Sequence, residues 1–126
     1  MKVVLDTNAY SDWLRDGSWA DELSTAEEVI IPAIVLGELR EGFLRGRQLV
    51  KNEKVLMNVL AQSCVRVGVV GSETSHYFAS LKKYLRANGT PIPENDVWIA
   101  ACVCENGAVL LTKDQHFERL PQVMCR

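Results

Sequence analysis

Four carboxylates stand out by where they sit. Asp6 directly follows the apolar stretch Val3-Val4-Leu5, and Asp114 follows a second such stretch, Val109 to Thr112, by two residues. If both stretches are strands of one parallel sheet, both acids project from the same rim, outside the carboxyl ends of the strands where ligands of such sheets gather. Either one alone reads as a cap, because aspartate is favoured at strand-to-helix turns. Glu38 adds a geometric argument. On a helical wheel Val35, Leu36, Leu39 and Phe43 form an arc facing the core, Glu41 lies opposite, and Glu38 falls between Ile34 and Val35 at the flank, beside the small Gly42. A carboxylate at the edge of buried surface wants a cation or hydrogen-bond donors, whereas Glu41 needs only water. Asp96 opens a helix whose continuation, Val97-Trp98-Ile99-Ala100-Ala101, is almost wholly apolar. The helix dipole stabilises a first-turn aspartate by about 0.3–1 kcal/mol, which accounts for Asp96 without any chemistry. Caps and dipoles do not account for four acids spread over a strand end, a helix flank, a helix start and a second strand end.

The elements that must position these acids follow from periodicity. Val3 to Leu5 predicts a short buried strand, and Asp6-Thr7-Asn8 opens a helix that stops near Asp16-Gly17. A brief helix over Trp19 to Ala26 precedes a strand over Glu28 to Ile31, after which Pro32 suits the first turn of a helix reaching about Arg45. Leu49, Val55, Leu56, Val59 and Leu60 give the next helix its stripe, and Val65, Val67, Val69 and Val70 predict a third strand ending at Gly71-Ser72. A long amphipathic helix through Tyr77, Phe78, Leu81, Tyr84 and Leu85 stops at Asn88-Gly89, and a Pro91-Ile92-Pro93 loop leads to a helix over about Asn95 to Asn106. Val109 to Thr112 is the fourth strand, Asp114 to Leu120 can make one or two helical turns, and Val123 to Cys125 can form a short edge strand. Strands alternating with helices imply an α/β fold, a three-layer α/β/α sandwich around a mostly parallel sheet of four to five strands.

Composition sets the frame around these elements. A chain of 126 residues with 48% hydrophobic and 24% charged residues has the composition of one globular domain, spanning residues 1–126. No apolar run approaches the roughly 18 residues that cross a bilayer, and no signal-peptide core precedes the first strand, so the expectation is a cytoplasmic protein without a membrane partner. Cys64, Cys102, Cys104 and Cys125 form no CxxC pair. Cys102 and Cys104, two residues apart on a helix, point to opposite faces and cannot share a metal, so they read as inert thiols. The net charge of −2 hides a segregation: residues 1–39 carry 2 basic and 8 acidic groups, residues 40–86 carry 9 and 3, and residues 87–126 carry 3 and 5. The basic middle, with Arg40, Arg45 and Arg47 leaving the helix of Glu38, could supply phosphate contacts, but on charge alone solvated helix faces explain it better.

Across essentially its whole length the sequence resembles a PIN domain, and most of all the VapC type of toxin ribonuclease from bacterial and archaeal toxin–antitoxin pairs. The resemblance is carried by Val4-Leu5-Asp6-Thr7-Asn8, by Leu36-Gly37-Glu38-Leu39-Arg40-Glu41-Gly42, by Asp96-Val97-Trp98-Ile99-Ala100-Ala101 and by Leu111-Thr112-Lys113-Asp114-Gln115-His116-Phe117, in that order. It implies acidic metal ligands at Asp6, Glu38, Asp96 and Asp114, the last being the variable member, often Asn in such proteins. Crowded carboxylates repel one another unless hard cations neutralise them, and oxygen ligation points to Mg²⁺ or Mn²⁺ rather than zinc. The implied activity is metal-dependent hydrolysis of RNA phosphodiester bonds, with Asp6 and Asp96 as direct ligands and Glu38 and Asp114 binding a second ion or acting through water. Thr7, Asn8 and Thr112 are candidates to orient the carboxylates or the substrate, or else to satisfy turn backbone. The implied partners are RNA, a small VapB-like antitoxin protein and a second copy of the chain.

Three other readings compete. An aspartyl phosphatase of the haloacid-dehalogenase type needs a second aspartate two residues after the first, where this chain has Asn8, and a phospho-acceptor receiver domain needs an aspartate closing the third strand, where it has Gly71-Ser72. A catalytically weak PIN-fold RNA-binding or antitoxin-binding module would not need all four acids. His116 reads as a partly buried turn residue beside Phe117 rather than a phosphate contact, and His76 carries no signal.

Overall fold

A computed structural model describes residues 1–126. Its elements run β1 (Lys2–Leu5), α1 (Thr7–Asp16), α2 (Ala20–Thr25), β2 (Glu28–Pro32), α3 (Ala33–Arg45), α4 (Leu49–Leu60), β3 (Val65–Gly68), α5 (Ser72–Asn88), α6 (Glu94–Asn106) and β4 (Val109–Leu111), followed by a 3-10 helix over Gln115–Arg119. The strands form one parallel sheet in the order β3-β2-β1-β4. With the right-handed crossovers that parallel strands adopt, this order puts α1 to α4 on one face and α5 and α6 on the other, the expected three layers. Val3, Val4, Leu5, Ile30, Ile31, Leu110 and Leu111 are fully buried, as strands covered on both faces must be. No helix is long and apolar enough to cross a membrane.

Caps and stops follow the residues that dictate them. Asp6 caps α1 by accepting a hydrogen bond from the Ala9 backbone N–H at 2.8 Å, and Gly17, Gly89 and Gly107 end α1, α5 and α6 in the left-handed conformation. Trp19 also takes a left-handed conformation, at φ 70°, where the chain turns into α2.

The third strand is shorter than its valines suggest. It ends at Gly68, and Val69 and Val70 are 72% and 43% exposed. Its neighbour β2 stops at Pro32, opposite Gly68, and turns into α3, so residues 69 and 70 have no strand to pair with. The last apolar segment contributes a single parallel bridge, Leu110 to Cys125, on the far edge of β4. The Leu110 N–H donates to the Met124 carbonyl at 2.8 Å and the Arg126 N–H donates to the Leu110 carbonyl at 2.9 Å. Cys102 is buried and its thiol is pushed up to about 11 by that burial, and burial raises Cys104 too, in keeping with inert thiols.

Gly68 occupies the tightest point of the sheet-to-helix packing. A Cβ there would lie 2.7 Å from Cys102 Sγ and 2.9 Å from Ile30 Cγ2, both on buried side chains. Gly68→Ala is therefore expected to destabilise the protein by about 1–3 kcal/mol through overpacking, read as a lower urea midpoint at unchanged slope.

Candidate active site

Asp6, Glu38, Asp96 and Asp114 come together at the carboxyl rim of the sheet, around a cavity of about 160 Å³ that Thr7, Asn8 and Ile99 complete. β1 delivers Asp6, the second turn of α3 delivers Glu38, the first turn of α6 delivers Asp96, and the turn after β4 delivers Asp114. Each acid is fixed by a different local device. Asp6 is 5% exposed and accepts from the Ala9 N–H through Oδ1 and from the Thr112 hydroxyl through Oδ2. The same Thr112 oxygen accepts from the Asp114 N–H at 2.9 Å, so Thr112 both orients a carboxylate and satisfies its own turn. Thr7 Oγ1 donates to Glu38 Oε1 at 2.6 Å and so holds the flank glutamate toward β1. Asp114 caps the 3-10 helix by accepting from the His116 N–H at 2.9 Å. Asn8 is exposed and borders the cavity.

His116 is the partly buried turn residue beside Phe117 that the sequence suggests, and its reach into the site is what sequence reasoning missed. Its ring Nδ1 lies 2.9 Å from Asp96 Oδ2 and 3.2 Å from Asp114 Oδ1, in the site rather than merely beside Phe117. The available signal was its position two residues after Asp114, since a capped 3-10 turn folds that side chain back over the capping carboxylate.

The three arginines divide. Arg45 lines a larger cavity of about 600 Å³ that shares Thr7 and Glu38 with the acidic one and runs along α3 past Ala33, Gly37 and Glu41 to Asn95. Its guanidinium pairs with Glu41 at 2.8 Å on the exposed surface. Arg40 faces α4 instead, where Nε donates to Glu53 at 2.8 Å, and it borders neither cavity. Arg47 is exposed beyond the end of α3.

Electrostatically the site is poised for a cation. No lysine or arginine pairs with any of the four acids, and Lys113, in the same turn, reaches Asp12 at 3.6 Å. Burial raises the pKa of Asp6 most, and Asp114 and Asp96 add repulsion, against the lowering effect of the bonds from Thr112 and Ala9. Burial likewise raises Asp96, with Asp114 and Glu38 adding to it and His116 opposing it. The donor set suits a divalent cation: one carboxylate oxygen each from Asp96 and Asp114 and a ring nitrogen of His116 lie within 4.8 Å of one another, with Asp6 and Glu38 on the same cavity wall.

The four-stranded parallel sheet and its acidic carboxyl rim match the PIN fold that the sequence motifs imply. The family model described as PIN domain matches residues 3–123, and the chain belongs to that family, within its VapC branch. It is 33% identical over 94 residues to Ribonuclease VapC4 of Mycobacterium tuberculosis, covering 74% of this chain and 72% of that one. It is 26% identical over 117 residues to Ribonuclease VapC5 of the same organism, covering 93% and 86%. Among solved structures, VapBC2 from Rickettsia felis bound to a promoter DNA fragment superposes with a TM-score of 0.87 at 24% identity, covering 100% of this chain and 98% of that one. VapBC-1 from nontypeable Haemophilus influenzae does so with a TM-score of 0.88 at 21% identity, covering 100% and 97%.

The raised aspartates carry a stability consequence. A carboxyl group whose folded pKa exceeds its unfolded value binds more protons when folded, so stability falls as pH rises through that interval and the ionised group opposes folding above it. In chelator, Asp96→Asn is therefore expected to melt above the parent protein at pH 7. The gap should close as pH is lowered toward the ordinary aspartate value of 3.8, which scanning calorimetry across that range would follow.

Proposed function

We propose that the protein is a metal-dependent endoribonuclease toxin of the VapC kind, acting through Asp6, Glu38, Asp96 and Asp114 with Mg²⁺ or Mn²⁺. The observation that carries this reading is the convergence of four acids from four separate elements on one small cavity that holds no neutralising lysine or arginine. Separately anchored carboxylates, with burial working against ionisation of Asp6 and Asp96, are costly to keep together, and a bound cation offsets that cost.

The chain's own residues do the positioning. Asp6 and Asp96, the more enclosed pair, would hold the ion directly, with Glu38 and Asp114 contacting a second ion or bound water. Thr112 and Thr7 keep Asp6 and Glu38 in register by donating their hydroxyl protons, leaving the remaining carboxylate lone pairs for ligation. Bound metal supplies the positive charge that activates a water and stabilises the departing oxygen, and no covalent enzyme intermediate is required. The longer cavity along α3 would receive the RNA strand beside the scissile bond, with Arg45 on its wall; Arg47 is exposed just beyond α3, and Arg40 is committed to Glu53. A small VapB-like antitoxin would restrain the enzyme, and the active form would be a homodimer. The relatives support this reading: two carry the name Ribonuclease VapC, and the R. felis and H. influenzae neighbours are VapBC structures.

The deciding experiment is cleavage of labelled total RNA by the antitoxin-free protein in Mg²⁺ or Mn²⁺. Site-selective cuts should appear with the parent protein, disappear in chelator, and fall by about 100-fold or more in Asp96→Asn. A folded, metal-binding protein that leaves RNA intact would instead favour the catalytically weak binding module.

Arg45→Ala is expected to weaken RNA binding and to make the log–log salt dependence of affinity shallower by about 0.7, the loss of one contact to a single strand. Arg40→Ala should leave that slope unchanged. Filter binding across a salt series with uncleavable RNA reads both.

A further inference from the structure

We infer that His116 is a nitrogen ligand of the cation that Asp114 contacts beside Asp96, and that it makes this site prefer Mn²⁺ to Mg²⁺. The inference deepens the metal-dependent reading above and rests on it.

Distances and donor chemistry carry the argument. Ligands at about 2.1 Å from a common ion and at right angles to one another stand about 3 Å apart. His116 Nδ1 stands 2.9 Å from Asp96 Oδ2 and 3.2 Å from Asp114 Oδ1, so these atoms already have the spacing of neighbouring ligands around one ion. The ring is held there by its own backbone, because the His116 N–H donates to Asp114 Oδ1 and the turn is thereby locked to the acid it would share a metal with. With its side chain 42% exposed, His116 can also adjust without disturbing the core. An imidazole nitrogen is a borderline donor that favours first-row transition ions, whereas Mg²⁺ gives up its water for nitrogen reluctantly. Adding one such donor to the carboxylates therefore biases the site toward Mn²⁺ without excluding Mg²⁺.

The test uses the full chain stripped of metal. Mn²⁺ binding is followed by loss of the free-ion electron paramagnetic resonance signal, alone and against Mg²⁺, and pulsed measurements on the bound ion report directly coordinated nitrogen. The parent protein is expected to show nitrogen coupling. His116→Gln, which keeps a polar side chain of similar reach, should abolish the coupling and shift the Mn²⁺-to-Mg²⁺ affinity ratio by about tenfold or more toward Mg²⁺. His76 is the only other histidine and is exposed on α5, so His76→Gln should change neither readout. Mn²⁺ that binds, and is lost in Asp96→Asn, yet shows no nitrogen coupling in the parent protein would overturn the inference and leave His116 as a hydrogen-bond partner of the two acids. Retention of the parent affinity ratio in His116→Gln would overturn it equally. A parent protein that takes up no Mn²⁺ would bring down the metal-dependent reading itself, a distinct result from either of these.

Discussion

The hydrogen bond from Thr112 to Asp6 joins residues 106 positions apart and fixes the carboxyl ends of two neighbouring parallel strands to each other. Everything at the rim depends on that tie. Val3 pairs with Val109, Val4 with Leu110 and Leu5 with Leu111, so the register brings Asp6 and Thr112 out side by side as the sheet ends. A slip of one residue would carry Thr112 and Asp114 along the strand, away from Asp6. The buried hydrophobic pairs of the sheet thus specify the location of the charges, although no charged group takes part in the pairing.

A site assembled in this way works against the stability of its own fold. Asp6 and Asp96 are partly withdrawn from water and lie near other acids, and the threonine and backbone donors around them relieve only part of that cost. The sheet and the α5–α6 layer provide the surplus, with Leu81 and Leu85 of α5 and Val97, Ile99, Ala100 and Ala101 of α6 all buried. α6 is apolar over most of its circumference because it is enclosed, yet its first turn emerges at the rim and can present Asp96. One helix therefore serves as core over its length and as site at its tip.

The parts that sequence alone disclosed share a physical character: each is encoded by neighbours in the chain. Val3-Val4-Leu5 before Asp6, the apolar continuation after Asp96 and the glycine stops are local signals, and the helical wheel that singled out Glu38 needed only the residues around it. Features that depend on what lies across space were misread or missed. Val69 and Val70 have strand-forming side chains but no partner strand, because Pro32 ends β2 opposite Gly68. Arg40 sits one turn from the groove in sequence but answers to Glu53 on another helix, 13 positions later. His116 acquires its meaning from Asp96, 20 residues earlier on an element that approaches only when the sheet has formed.

The two cavities at the rim differ in how firmly their walls are fixed. The acidic one is small and ringed by side chains whose positions are set by capping bonds and strand register, so its chemistry tolerates little variation. The longer one runs along α3 over Ala33 and Gly37, and a Cβ at Gly37 would meet nothing within 4 Å. Its floor is open where Ala33 and Gly37 line it, and substitutions there would reshape the cavity without touching the sheet. Glu38 and Thr7 belong to both cavities. Their mutual hydrogen bond is consequently the point where the shape of the longer cavity can be felt by the acids, and any change in α3 that moves Glu38 reshapes both cavities together.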